Sequence, residues 1–202
     1  MTVAPRSSTS AGQPRTGLIA ALNGRYHRTA LNLFMVIVLA HWAEHLVQAY
    51  QIWVLGLPAP KARGVLGTAY PWLVTSEFLH YGYALAMITF LFLLRPGFVG
   101  RARTWWTVAL VIQFWHHIEH LLLLIQAQSG HPFFGKAVPT SILQLVLPRV
   151  ELHLFYNSIV FIPMIIAMYL HLRPSQEELE GARCPCGGNA ETRELVATAP
   201  AT

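Results

Sequence analysis

Residues 31–55 read LNLFMVIVLAHWAEHLVQAYQIWVL, an apolar run with a single formally charged side chain, Glu44. As a helix it would extend roughly 37 Å at ~1.5 Å per residue, enough to cross a hydrocarbon core of about 30 Å. No water is present in that core to satisfy backbone N–H and C=O groups, so a lone crossing segment must be helical. Three more apolar segments, at about 70–94, 105–127 and 142–172, predict the same. Gly56, Pro58, Pro60, Pro96, Gly97, Gly130 and Pro132 punctuate the links between them. The expected fold class is an all-α integral membrane protein built as a four-transmembrane-helix bundle.

Composition supports this reading. Hydrophobic residues are 54% of the 202-residue chain and charged residues 11%, against about 25% charged in soluble domains. That excludes a water-soluble globule and, over most of the length, a disordered chain. The net charge of +5 is spread over links and tails without a dense basic cluster. The bilayer is therefore the expected partner, and nucleic acid is not.

Residues 1–16 lack the apolar core of a signal peptide and read as a disordered N-terminal tail. Residues 17–172 form the transmembrane domain, opening with a short interfacial helix over 17–29, and residues 173–202 read as a flexible cytoplasmic tail. Arg6, Arg15, Arg25, Arg28, Arg95, Arg101, Arg103, Arg173, Arg183 and Arg193 would share one side. Only Lys61, Arg63, Lys136 and Arg149 fall near the other. The bias predicts a multi-pass cell-membrane protein with both termini cytoplasmic (N-in/C-in). Cys184 and Cys186 are too few and too close for a disulfide framework, and read as free thiols in a reducing compartment. His27, His131 and His171 read as interfacial or solvated.

The chemistry lies inside the segments. Each holds one carboxylate, Glu44, Glu77, Glu119 and Glu151, and they share seven imidazoles, His41, His45, His80, His116, His117, His120 and His153. Four charges at mid-membrane would cost on the order of 10 kcal/mol, at about 2.5–3.5 kcal/mol each. They are tolerable only if protonated, paired or bound to a cation.

The pattern repeats. His41-Trp-Ala-Glu44-His45-Leu46 and His116-His117-Ile-Glu119-His120-Leu121 are both H-x-x-E-H-L, 75 residues apart. Glu77-Phe-Leu-His80 and Glu151-Leu-His153 follow in the second and fourth segments. Two pseudo-repeated helical hairpins are expected, related by a twofold axis along the membrane normal. Helical spacing puts His41, Glu44, His45 and Gln48 on one stripe, His116 and His120 on another, and Glu77 with His80 on a third. Glu151 and His153 cannot share a face. Arg149, His153 and Asn157 form an alternative stripe that offers an Arg partner to a Glu.

His pairs at i, i+4 chelate metals, and carboxylates complete the shell. Glu77-x-x-His80 is the motif that carboxylate-bridged di-iron bundles use on two of their helices. The eleven layer residues are therefore the candidate ligands of a divalent metal, with iron the first choice and zinc the second. The His-rich layout resembles, in its chemistry, the integral-membrane di-iron desaturases and hydroxylases. His41-x-x-x-His45 is similar to one of their boxes, and His116-His117-x-x-His120 to the reverse of another. The likeness covers about ten residues, and those boxes lie at the membrane edge, whereas these lie deep. It implies an oxidoreductase that oxidises an apolar or lipid-like molecule with dioxygen and draws on a redox partner. The alternatives are a non-enzymatic metal or haem protein for electron or ion transfer, a carrier that would need a homodimer, and interhelical hydrogen bonding alone.

Overall fold

In the computed structural model, residues 17–182, 184 and 186 are described; the expected N-terminal tail, 1–16, lies outside them. Among the described residues there is no strand. A short helix α1 (Leu18–Asn23) precedes α2 (His27–Trp53). Two single turns follow, α3 (Leu66–Ala69) and α4 (Trp72–Thr75), then α5 (Glu77–Leu94), α6 (Gly100–Ser129), α7 (Arg149–Leu172) and a short α8 (Gln176–Glu180). Helices α2, α5, α6 and α7 are long and apolar enough to cross a membrane.

Two of these helices start later than the apolar pattern suggested, each for a local reason. Ser76 is extended, and its hydroxyl accepts a hydrogen bond from Leu79 N at 3.3 Å. This N-cap starts α5 at Glu77 and leaves residues 70–76 as a separate turn behind Pro71. Pro148 is likewise extended (ψ 155°) immediately before α7. It has no N–H to donate and cannot continue a helix from the preceding side, so residues 142–147 hold only a tight turn at Leu143–Leu145. α6 stops at Gly130, which adopts the left-handed conformation (φ 67°).

The bundle runs up and down, with α6 packed against both α5 and α7. Its apolar core occupies one half only. Leu31, Phe34 and Val38 of α2 meet Met87, Leu91 and Leu94 of α5, Trp106 of α6, and Val160 and Met164 of α7. Ala102, Ala109 and Ala167 are buried there, and their small side chains let the backbones approach. Trp106 is fully buried and its indole N–H donates to Leu91 O at 2.7 Å. Outward-facing Val36, Phe92, Val111 and Ile162 are exposed, a surface suited to acyl chains rather than water.

The C-terminal stretch is not featureless. Ser175 and Glu178 form a capping box on α8. Glu178 also reaches α6, where Oε1 accepts from Arg101 N at 2.9 Å and Oε2 from the Arg101 guanidinium at 3.2 Å. A Cβ at Gly100 (φ 50°) would collide with that carboxylate. The Arg101 guanidinium first, then the Ser175 backbone N–H, holds the Glu178 carboxyl down at about 2 from an ordinary 4.5. Because the folded value is depressed, this docking is fully present above pH 4.5 and is lost as pH falls through about 2. A carbon-13 titration of Glu178 should show a midpoint near 2 in the parent and a return to the ordinary carboxylate range in Arg101→Gln. An unchanged midpoint in the variant would refute the assignment.

Candidate metal centre

The half of the bundle that lacks apolar core is filled by imidazoles. α2 supplies His41 and His45, one turn apart; α5 supplies His80; α6 supplies His116 and His120; α7 supplies His153. His153 is the hub. Its ring centroid lies 4.9 Å from that of His45, 5.3 Å from His120, and 6.1 Å from both His80 and His116. Ligand nitrogens of His116, His120 and His153 all lie within 4.8 Å of one another. Nε2 of His41 and Nε2 of His45 are 3.1 Å apart, within the about 2.9–3.4 Å expected of two imidazoles bound to one ion at roughly 2.0–2.1 Å. Tyr83 stacks on His41 at 3.7 Å and Tyr156 on His116 at 4.2 Å, fixing both rings from outside.

Hydrogen bonding sets the tautomers of three rings. His80 Nδ1 lies 2.9 Å from Ser76 O, His153 Nδ1 2.7 Å from Arg149 O, and His45 Nδ1 2.8 Å from Gln48 Oε1. Carbonyl and amide oxygens only accept, so each Nδ1 carries the proton and donates it. Each Nε2 then carries a lone pair, which in His45 faces His41 Nε2 and in His153 has no partner among the described residues. Outer-sphere donation from the far nitrogen is how metal-binding histidines are oriented.

The carboxylates behave differently from one another. Glu77 forms a two-pronged ion pair with Arg149, Oε2 accepting from Nη2 at 2.8 Å and Oε1 from Nη1. The pair ties the start of α5 to the start of α7. Glu44 Oε1 accepts from Gly67 N at 3.1 Å in the link after α2. Glu119 Oε2 accepts from Leu143 N at 3.2 Å in the link after α6. Glu151 is half-buried in the first turn of α7, where a carboxylate suits the helix dipole. His117 faces Tyr81, with ring centroids 5.1 Å apart, and stands apart from the six clustered rings.

Glu119 alone of the four carboxylates keeps a buried oxygen, Oε1, with no hydrogen-bond partner among the described residues. His120 Nδ1 and His153 Nε2 share that condition. All three residues line one cavity of about 10 Å³, together with His116 and Ser141, room for a single water-sized occupant. Unpartnered buried polar groups cost about 1–3 kcal/mol each, a large share of a typical domain's stability. A bound cation would remove that cost, and the donors fit one. Six imidazoles with one carboxylate suit zinc, copper, iron and nickel alike.

A second group escaped the sequence reading. His27 and His171 are buried, not interfacial, and with Cys184 they place a ligand atom each within 4.8 Å of one another. Cys184 and Cys186 are joined as a disulfide rather than free. The signal was present in the expected topology, which puts the start of the first helix, the end of the last and the C-x-C on one side. Compared with known proteins, the chain matches no family model, no curated protein and no solved structure.

Proposed function

We propose that the chain is an integral membrane metalloprotein, N-in/C-in, whose six-imidazole layer holds one or two first-row transition ions for redox chemistry within the bilayer. The observation that carries this is the convergence of six imidazoles from four helices, three of them with Nδ1–H satisfied and Nε2 unprotonated. Glu119 is the carboxylate ligand this reading adds. Iron remains a candidate, and the nitrogen-rich donor set also admits copper and zinc. Iron or copper would supply one-electron chemistry, whereas zinc, which has no redox chemistry, would not; the chain's own residues would orient the imidazoles and exclude water.

We infer further that the two hairpins are copies of one unit. Gln51 brackets Gly64, accepting from its N–H at 2.7 Å and donating to its C=O at 3.3 Å. Gln126 brackets Thr140 the same way, at 3.1 and 2.9 Å. Glu44 and Glu119 make the second fastening, to Gly67 and Leu143. The paired anchors are 75 residues apart and their partners 76. His80 and His153, 73 apart, each donate to the carbonyl four residues earlier. Matched contacts at constant offsets support duplication better than the six-residue motif alone, and they make the centre three imidazoles from each copy.

An oxidoreductase acting on an apolar or lipid-like substrate needs a place for it. A groove of about 470 Å³ between α5 and α6, lined by Ile88, Phe92, Leu110 and Phe114 among others, would accept an acyl chain. None of the six imidazoles lines it. That separation favours a second reading, electron or ion transfer through a closed centre; either redox reading requires a redox partner. Metal analysis with an optical spectrum on the purified chain is the test. Stoichiometric redox-active metal, reduced in Glu119→Gln and lost with stability on chelation, is expected. Gln keeps an acceptor for Leu143 N–H and removes only the charge. A raised melting temperature for Glu119→Gln with no stoichiometric metal would overturn the proposal in favour of hydrogen-bonded packing.

A further inference from the structure

At the opposite end of the bundle from the imidazole layer, His27 opens α2 and His171 lies in the last turn of α7. Their ring centroids are 5.2 Å apart. His27 is fully buried, its Nδ1 lies 3.1 Å from Leu22 O, and its Nε2 has no partner among the described residues. The carbonyl accepts, so Nδ1 is protonated and Nε2 presents a lone pair. His171 Nε2 lies 3.2 Å from Cys184 Sγ. Cys184 and Cys186 are both buried, with Cα atoms 5.3 Å apart. That separation also allows two thiolates about 3.8 Å apart on one tetrahedral ion with Zn–S of ~2.3 Å. Phe98 closes the pocket, its ring 5.3 Å from His27 and 4.6 Å from His171. Gly97 leaves room for the His27 ring, which a Cβ there would strike.

We propose that His27, His171, Cys184 and Cys186 form a second metal site, a Cys2His2 zinc site that exists when the two thiols are reduced. The donor set is that of closed structural zinc sites, and it is chemically distinct from the sulfur-free imidazole layer. The site would staple the C-terminal stretch to both ends of the bundle sequence, α2 and α7. The disulfide is its metal-free form. Two equivalents of a cytosolic thiol of the glutathione class reduce it. The Cys184–Cys186 S–S bond breaks, one S–S bond forms between the two reductant sulfurs, and their two protons pass to Cys184 and Cys186. Zinc binding then displaces those protons. Oxidation of the thiols reverses the sequence and releases the ion, so the staple follows the redox state of the compartment that holds the tail.

Cobalt substitution reads this site separately from the imidazole layer, because only a thiolate ligand gives a sulfur-to-cobalt charge-transfer band. The purified full-length chain, reduced with a phosphine and loaded with Co²⁺, should show that band together with tetrahedral ligand-field absorption. Zn²⁺ in excess over both sites should abolish the sulfur-to-cobalt band. The band should be absent from the oxidised chain and from Cys184→Ser/Cys186→Ser, and His27→Gln should at least weaken Co²⁺ retention tenfold. Since a buried His variant can misfold, alkylation of the parent thiols supplies a second measurement. Zn²⁺ should protect them and a chelator should restore their reactivity. No sulfur–cobalt band in the reduced parent, thiols alkylated equally with and without Zn²⁺, or an unchanged band in a folded His27→Gln would each overturn the site. None of these outcomes bears on the imidazole centre, which contains no sulfur.

Discussion

Replacing His153 with Ala should strip the purified protein of the metal proposed for its imidazole layer and lower its stability by about 3–5 kcal/mol, the range for breaking a buried charged assembly by removing one partner. His153 is 5% exposed and touches the rings contributed by α2, α5 and α6. Its loss therefore removes one proposed ligand and the imidazole that neighbours four of the other five. A cavity contribution is included, since truncating a large buried ring leaves space that the bundle fills only in part. Chelation separates the two effects. If metal holds the layer together, stripping it from the parent should reproduce most of the loss, and His153→Ala should be insensitive to chelator. Were the parent unmoved by chelator, packing alone would explain the variant. His131→Ala is the control, because His131 is exposed in the link after α6 and should change neither quantity.

Arg149→Met should destabilise the protein by about 2 kcal/mol, less than the 3–5 kcal/mol typical of a fully buried pair, because the Arg149 side chain is 38% exposed. The Glu77 side chain is only 12% exposed, so its carboxylate would be left without its guanidinium in a poorly solvated place. Adding Glu77→Gln should recover most of the loss, since the uncompensated charge is then gone. The coupling from a double-mutant cycle should exceed 1 kcal/mol, measured by thermal unfolding in one detergent. Additive losses would mean that the two side chains act independently and that the fork contributes no coupling of its own.

The four long helices were legible because bilayer-length apolar runs leave the backbone one solution. Their starts were less so. Ser76 and Pro148 set the beginnings of α5 and α7 by capping, a short-range effect that hydrophobic length does not register. The His stripes were visible from i, i+4 spacing. Which carboxylates join them was not, because periodicity gives a face and not a partner. Glu44 and Glu77 stand on the same faces as clustered histidines, yet one is engaged by the Gly67 N–H and the other by Arg149. Those partners lie 23 and 72 residues away along the chain. The second cluster was missed for a related reason. His27, His171 and Cys184 carry no local motif, and only the return of the chain to one end of the bundle assembles them.

The amide clasps at Gln51 and Gln126 bear on what kind of sequence change the chain can absorb. Each clasp occupies both backbone hydrogen-bonding groups of one link residue, and a glutamate two helical turns earlier holds a second residue of the same link. All four fastenings grip the main chain, so they do not read the side chains that the links turn outward. What they measure is the sequence separation of anchor and anchored peptide, 13 and 14 for the two glutamines and 23 and 24 for the two glutamates. The links are thus metered by length and open in composition at their exposed positions, but not at buried Gly64 and Gly67, where a Cβ would strike Glu44 and Val74. Drift at their exposed positions leaves the roof over the imidazoles in place, whereas a one-residue insertion or deletion inside a clasp presents the wrong peptide to a fixed amide.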